Sequence, residues 1–257
     1  MGCGVTARKA ELAANLQQVR ARIDRAAAGR TVPELIVVTK YFPASDVAAL
    51  AELGVRDVGE NRDQEASAKA AELSAQAGSP AADLRWHFIG QLQTNKAKSV
   101  VRYAHAVHSV DRAPLVAALS KAMLAEQERR RDAGLPARAD LVCLVQVDLE
   151  NRPSHDRPRS APGRGGASPD EVPGLAGLID AADGLVLGGL MAVAPLGADP
   201  AEAFGRLAGY AGELRRSHPG ATMMSAGMSQ DLEAAVAAGA THLRVGSDVL
   251  GDRPAVG

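Results

Sequence analysis

Eight short apolar runs, each separated from the next by a helix-like segment, constrain what this chain can fold into more than any other feature. They centre near residues 36, 56, 87, 108, 144, 187, 224 and 243. The first, Leu35-Ile36-Val37-Val38-Thr39-Lys40, is apolar and mostly β-branched, the pattern of a strand buried on both faces. The intervening segments carry helical periodicity and stop signals. Over 43–53, Val47, Leu50 and Leu53 form one stripe and Gly54 ends it. Further helices are expected over 63–76, 95–103, 112–130, 173–182 and 200–217, and over 229–238 with Ser229 as N-cap. Eight βα alternations in 257 residues predict a single parallel (β/α)8 barrel spanning 1–257. A doubly wound open sheet would call for a Gly-rich turn after the first strand, and Lys40-Tyr41-Phe42-Pro43 is no such turn.

Two segments stand outside the repeat. Over 6–28, Leu12, Leu16, Val19 and Ile23 make an extra N-terminal helix with one apolar stripe, suited to cover the end or side of a barrel. The stretch 150–173 is rich in proline, glycine and arginine and is too long for an ordinary βα connection, so a mobile loop is expected over 150–170.

Bulk properties narrow the class. A 46% hydrophobic content supports a large core, and 3% aromatic content with abundant alanine favours helices over a β-sandwich. A formal net charge of -1 argues against nucleic-acid or membrane-surface binding. No apolar run approaches the roughly 20 residues of a membrane span, and no secretory signal is visible, so a cytoplasmic protein is expected. Cys3, Cys143 and the histidines lack metal-ligand spacing, and no metal site is expected.

In a parallel barrel the chemistry sits at the carboxyl ends of the strands. Lys40 ends the first strand, where its amine can condense with a carbonyl compound. Ser225, Gly227, Gly246 and Ser247 follow strands seven and eight, the usual place for a phosphate. Lysine and phosphate cradle together imply a phosphorylated carbonyl compound held as an imine, either pyridoxal phosphate or the sugar phosphate of a lysine-dependent aldolase. Arg244 bears on the choice, because a guanidinium against a pyridine nitrogen donates without giving up its proton. The bland alternatives are a snorkelling Lys40 and an Arg244 paired with Glu60.

The motifs Val38-Thr39-Lys40, Gly59-Glu60-Asn61, Trp86-His87-Phe88-Ile89-Gly90, Gly189-Leu190-Met191, Ser225-x-Gly227-Met228-Ser229-x-Asp231 and Arg244-x-Gly246-Ser247 occur in this order. Through them the chain closely resembles the pyridoxal-phosphate homeostasis protein family (the YggS/PROSC type). The resemblance implies the barrel of the alanine racemase N-terminal domain, a fold-type III arrangement for pyridoxal 5'-phosphate (PLP), with the cofactor bound covalently through Lys40. It implies phosphate binding by Ser225, Gly246 and Ser247, Arg244 facing the pyridine nitrogen, Asn61 lining the pocket, and Met228 and His87 as further pocket members.

The implied role is a PLP carrier in intracellular vitamin B6 and amino-acid homeostasis, without substantial catalysis and without catalytic residues. Apo forms of PLP-dependent enzymes would be its recipients, and a monomer is expected. The rival is a PLP-dependent amino-acid racemase, which needs a second base opposite Lys40. In alanine racemases that base is a tyrosine of a β-domain, and this chain ends directly after the eighth strand. Three features depart from the family pattern: the long arginine-rich loop with Arg164-Gly165-Gly166, Asp248 beside the phosphate-binding Ser247, and the bulky Tyr41-Phe42 pair.

Overall fold

Parallel strands buried on both faces send alternate side chains to the covering helices and to the barrel axis. Both sets are visible in the computed structural model, which describes residues 2–76, 78–150 and 165–253. Helix α1 (Gly2–Ala27) precedes β1 (Glu34–Val38), α2 (Ala44–Glu52), β2 (Asp57–Glu60), α3 (Asp63–Ser74), β3 (Arg85–Phe88), α4 (Ala97–Val100), β4 (Ala104–Val110) and α5 (Ala113–Asp132). Then come β5 (Leu141–Gln146), α6 (Val172–Asp180), β6 (Leu185–Met191), α7 (Pro200–Ser217), β7 (Met223–Ser225), α8 (Leu232–Ala237), β8 (His242–Val245) and α9 (Ser247–Leu250). The strands close in sequence order, and β8 pairs in parallel with β1 through Leu35↔Leu243 and Val37↔Val245. This is the expected (β/α)8 barrel.

The outward set, including Val37, Val58, Phe88, Val107, Cys143 and Val145, joins the helices in one apolar cluster. Cys143 is thus a small core residue, its thiol pushed up to about 12 by burial. Trp86 packs edge-on against Tyr103 at 6.5 Å between ring centroids. The axial set is different in kind. Ile36, Asp57, His87, Leu144, Ser225 and Arg244 occupy registered axial positions, so half of this selection is ionisable. Barrel interiors are ordinarily dominated by branched apolar side chains.

Helix α1 seals the seam where the last units meet the first. It packs on α2, α8 and α9, burying Leu12, Leu16, Val19 and Ile23. Arg22 fastens it, reaching Asp248 at 2.6 Å, Glu233 at 3.0 Å and the Ser229 carbonyl at 3.0 Å. The Asp248 carboxylate therefore turns toward α1.

Two local expectations change. The helix expected over 95–103 is a 3-10 turn at Thr94–Lys96 followed by the single turn α4. Helix α8 starts at Leu232 after Asp231, whose carboxylate accepts from the Met228 backbone N–H at 2.6 Å, so Ser229 is not its N-cap. The loop expected over 150–170 falls mainly on residues outside the described ones, 151–164. Its end is tied down, since Ala167 bridges to Val147 and Ser168 forms a capping box with Glu171. Among the described residues no helix is long and apolar enough to cross a membrane.

Leu16→Ala removes a side chain at 2% exposure from the α1 seam and is expected to lower unfolding free energy by about 2–4 kcal/mol in urea melts. Val32→Ala, at 52% exposure, should stay within about 0.5 kcal/mol of the parent.

Candidate functional site

A cavity of about 530 Å³ opens at the carboxyl ends of the strands. Lys40, Met228, Arg244, Gly246 and Ser247 line it, so five of the residues singled out in the sequence converge on one space. Ser229, expected to cap a helix, lines it as well, and its hydroxyl meets that of Ser247 at 3.2 Å. The two hydroxyls and Gly246 form a small polar cradle. The cradle is tight: a Cβ at Gly246 would lie 3.2 Å from the Val38 carbonyl oxygen and 3.3 Å from Val38 Cβ.

Lys40 follows β1 in a loop that is held from behind. The following residue, Tyr41, has φ 72, a left-handed conformation costly for a bulky side chain. Its backbone N–H donates to Glu65 Oε1 at 2.6 Å. A second, buried lysine governs this knot. Lys69 Nζ donates to the Thr39 carbonyl at 3.0 Å, to Glu60 Oε1 at 2.8 Å and to Glu65 Oε1 at 2.7 Å. Thr39 adds its hydroxyl to Glu60 Oε1 at 2.7 Å. Burial raises the Glu60 carboxyl, and the contacts from Lys69 and Thr39 work against that rise. Lys69 thereby fixes the backbone on both sides of Lys40. Lys40 itself is half-buried, with Nζ 5.9 Å from the Tyr41 ring centroid and no carboxylate partner among the described residues.

Arg244 lies at the floor of the cavity, 4% exposed. It donates to Ser225 Oγ at 2.6 Å and to the Ala192 carbonyl at 2.9 Å. Glu60, its expected alternative partner, is instead held by Lys69 and Thr39. Desolvation pulls the Arg244 guanidinium down to about 10. A guanidinium carries five donors, which leaves some for a ligand in the cavity it lines.

Three expected pocket residues are placed elsewhere. Ser225 is fully buried and off the cavity wall, its hydroxyl joined to Arg244 and, at 3.0 Å, to His108 Nδ1. It supports Arg244 from below, and the hydroxyls facing the space are those of Ser229 and Ser247. His87 lies deeper on the axis, between Asp57 and His108. Asn61 is at the rim, off the cavity wall, with a buried Oδ1 that has no partner among the described residues. Its backbone touches the β3 loop so closely that a Cβ at Gly90 would fall 2.3 Å from the Asn61 carbonyl oxygen.

Sequence reasoning missed Lys69, Ser229 and His108. Lys69 was signalled by its i,i+4 spacing from Glu65, the ordinary mark of a solvated pair. His108 gave no signal, since a histidine in an apolar run reads as core. Among the described residues no group of histidine, cysteine and acidic side chains could hold a metal ion.

The family described as "Alanine racemase, N-terminal domain" matches residues 8–254. A protein of Mycobacterium tuberculosis named pyridoxal phosphate homeostasis protein is 43% identical over 259 residues, covering 96% of this chain and 94% of that relative. A relative of the same name from Corynebacterium glutamicum is 39% identical, with 92% and 99% covered. The chain belongs to the pyridoxal phosphate homeostasis protein family. Among solved members of similar fold, PipY of Synechococcus elongatus with PLP bound superimposes with a TM-score of 0.71 at 31% identity, over 93% of this chain and 100% of that one. The family's barrel is therefore the right frame for the Lys40 cavity.

Lys69→Met strands Glu60 as an unpaired buried carboxylate and is expected to cost about 3–5 kcal/mol at neutral pH. Acidification protonates Glu60 and removes that unpaired charge. The deficit against the parent should therefore shrink as pH falls, measured by denaturant melts across the acid range.

Proposed function

We propose that this protein binds PLP through Lys40, holds it as a Schiff base and releases it again, acting in intracellular vitamin B6 and amino-acid homeostasis as a carrier. The observation that carries the reading is the convergence of a lysine amine, a buried guanidinium and a hydroxyl-lined glycine turn on one cavity. These are the donors that a phosphorylated pyridine aldehyde requires. Lys40 supplies the nucleophile, Ser229, Ser247 and Gly246 surround the phosphate, and Arg244 donates to the ring nitrogen. The unmet hydrogen-bonding capacity of Asn61 Oδ1 fits a polar ligand at the rim. When bound, PLP supplies an electrophilic aldehyde and a conjugated ring able to accept electrons.

The residues around that ring favour holding it over using it. Arg244 donates a hydrogen bond without yielding its proton, which leaves the ring nitrogen uncharged and the ring a weak electron sink. Racemisation needs proton acceptors on two faces. Among the described residues of the cavity wall Tyr41 is the one tyrosine, and it enters from the Lys40 loop itself. Asp231 Oδ1 accepts from the Met228 N–H. Delivery to apo PLP-dependent enzymes belongs to the same proposal, as does covalent attachment at Lys40.

Reconstitution with PLP should give an absorbance band near ~420 nm that is lost in Lys40→Ala while the apo-protein stays folded. A parent protein that remains colourless sinks the reading. In deuterated water, α-proton exchange of amino acids by the PLP-loaded protein should stay far below about 1 per second; turnover at that rate would make it an enzyme.

A further inference from the structure

Five polar side chains from five strands form one unbroken line through the barrel. At the amino-terminal end, Arg85 donates to Asp57 Oδ2 at 2.6 Å. Asp57 Oδ1 meets His87 Nε2 at 2.8 Å, His87 Nδ1 meets His108 Nε2 at 2.9 Å, and His108 Nδ1 meets Ser225 Oγ at 3.0 Å. Ser225 Oγ accepts from Arg244 at 2.6 Å. Asp57, His87, His108, Ser225 and Arg244 are each at most 5% exposed. A relay from the β2 start to the β8 end therefore joins the amino-terminal face, where Arg85 reaches solvent, to the floor of the Lys40 cavity.

Its two ends fix the direction of every bond between them. Arg244 can only donate, so Ser225 accepts from it and has its own hydrogen to give to His108 Nδ1. His108 then carries its proton on Nε2 and donates to His87 Nδ1. His87 carries its proton on Nε2 and donates to the Asp57 carboxylate. This arrangement places one proton on each ring and satisfies each bond. Burial, which pushes the His108 imidazole well below its ordinary value, agrees with a neutral ring. Burial would raise the Asp57 carboxyl, but the hydrogen bonds from His87 and Arg85 outweigh it and hold the group lowered, hence ionised. Reversing the line requires one extra proton, on His87 or on Asp57.

We propose that Asp57, His87, His108 and Ser225 are positioning residues that form a one-way hydrogen-bond relay, orienting Arg244 and coupling its donor strength to the charge at the opposite face of the barrel. The relay is a property of the apo-protein, and its effect on the ligand rests on the PLP reading above. With the relay intact, Ser225 presents a lone pair to Arg244 and keeps its hydrogen pointed at His108. With the relay reversed, His108 donates to Ser225 as well, the two donors share one oxygen, and the Ser225 hydrogen loses its acceptor.

Asp57→Asn tests the coupling from the far end. The asparagine carbonyl stays with Arg85, because Arg85 has no acceptor to offer, so the amide N–H2 faces His87 Nε2. His87 must then move its proton to Nδ1, and His108 follows. Long-range 1H–15N spectra of the apo-protein report the tautomers directly. Both His87 and His108 should be Nε2-protonated in the parent, and His108 should be Nδ1-protonated in D57N. D57N should also bind PLP roughly five- to tenfold more weakly, with a shifted absorbance maximum.

An Nδ1-protonated neutral His108 in the parent overturns the relay whether or not D57N folds. So does a D57N protein whose His108 tautomer is unchanged, or one that switches tautomer with the same PLP affinity and spectrum. A parent protein with both expected tautomers and no uptake of PLP would overturn the cofactor reading and leave the relay standing.

Discussion

The burial of the Arg244 guanidinium is the constraint on which the rest of this barrel depends. A permanent positive charge taken out of water must find acceptors close by, or the fold loses several kcal/mol, roughly, to desolvation. Among the described residues no carboxylate hydrogen-bonds it; its acceptors are the Ala192 carbonyl and Ser225 Oγ. Using Ser225 as an acceptor obliges the serine hydrogen to go elsewhere, and His108 takes it. His108 in turn needs a partner at its other nitrogen, and so does His87, until the line ends on Asp57. One buried cation thus converts the barrel axis from the usual aliphatic packing into a polar column. The cavity above inherits a floor with hydrogen-bond donors, suited to a ligand that brings an acceptor of its own.

A second buried cation, Lys69, has a different task. It bridges Glu60 and Glu65 and takes the Thr39 carbonyl, which fixes the chain immediately before and after Lys40. The left-handed Tyr41 is tolerated because its N–H is secured by Glu65. Lys40 can therefore stay chemically unencumbered while its backbone is rigid. The two lysines divide labour, one paired and structural, the other half-buried in the cavity and free of carboxylates among the described residues.

Much of this architecture was legible from the chain. The eightfold alternation of apolar runs and capped helices specifies a parallel barrel because period and turn chemistry agree in every unit. The positions of Lys40, Arg244, Gly246 and Ser247 follow from topology alone, since strand ends converge whatever the strands contain. What could not be read was which face each polar residue occupies at depth. Ser225 looks like a phosphate ligand because serine near a strand end usually faces the mouth; its burial comes from its registry with Met191 and His242 across the sheet. His87 looked like a pocket residue and His108 like core. The structure joins the two on the barrel axis, and the contact that continues from β4 to β7 has no signature in local sequence. Ser229 reads as a helix cap, whereas Asp231 secures that turn and the serine faces the cavity.

Holding a carbonyl ligand and using it place opposite demands on the same cavity. Catalysis at a carbon beside the imine needs a strong electron sink and a proton acceptor on each face. In the proposed complex Arg244 would oppose the first demand, because a donor that keeps its proton cannot charge the ring nitrogen. Of the candidate acceptors on the wall, Tyr41 enters from the Lys40 side and Asp231 Oδ1 already takes the Met228 N–H. Carriage makes simpler demands: a nucleophile reachable by competing amines, a cradle that grips without closing, and a floor whose donor is set in advance. Lys40 is half-buried on the cavity wall. The energy invested in the polar column then has a clear use. It fixes the direction in which Arg244 donates before any ligand arrives, so that binding requires no reorganisation of the buried charge and release restores none.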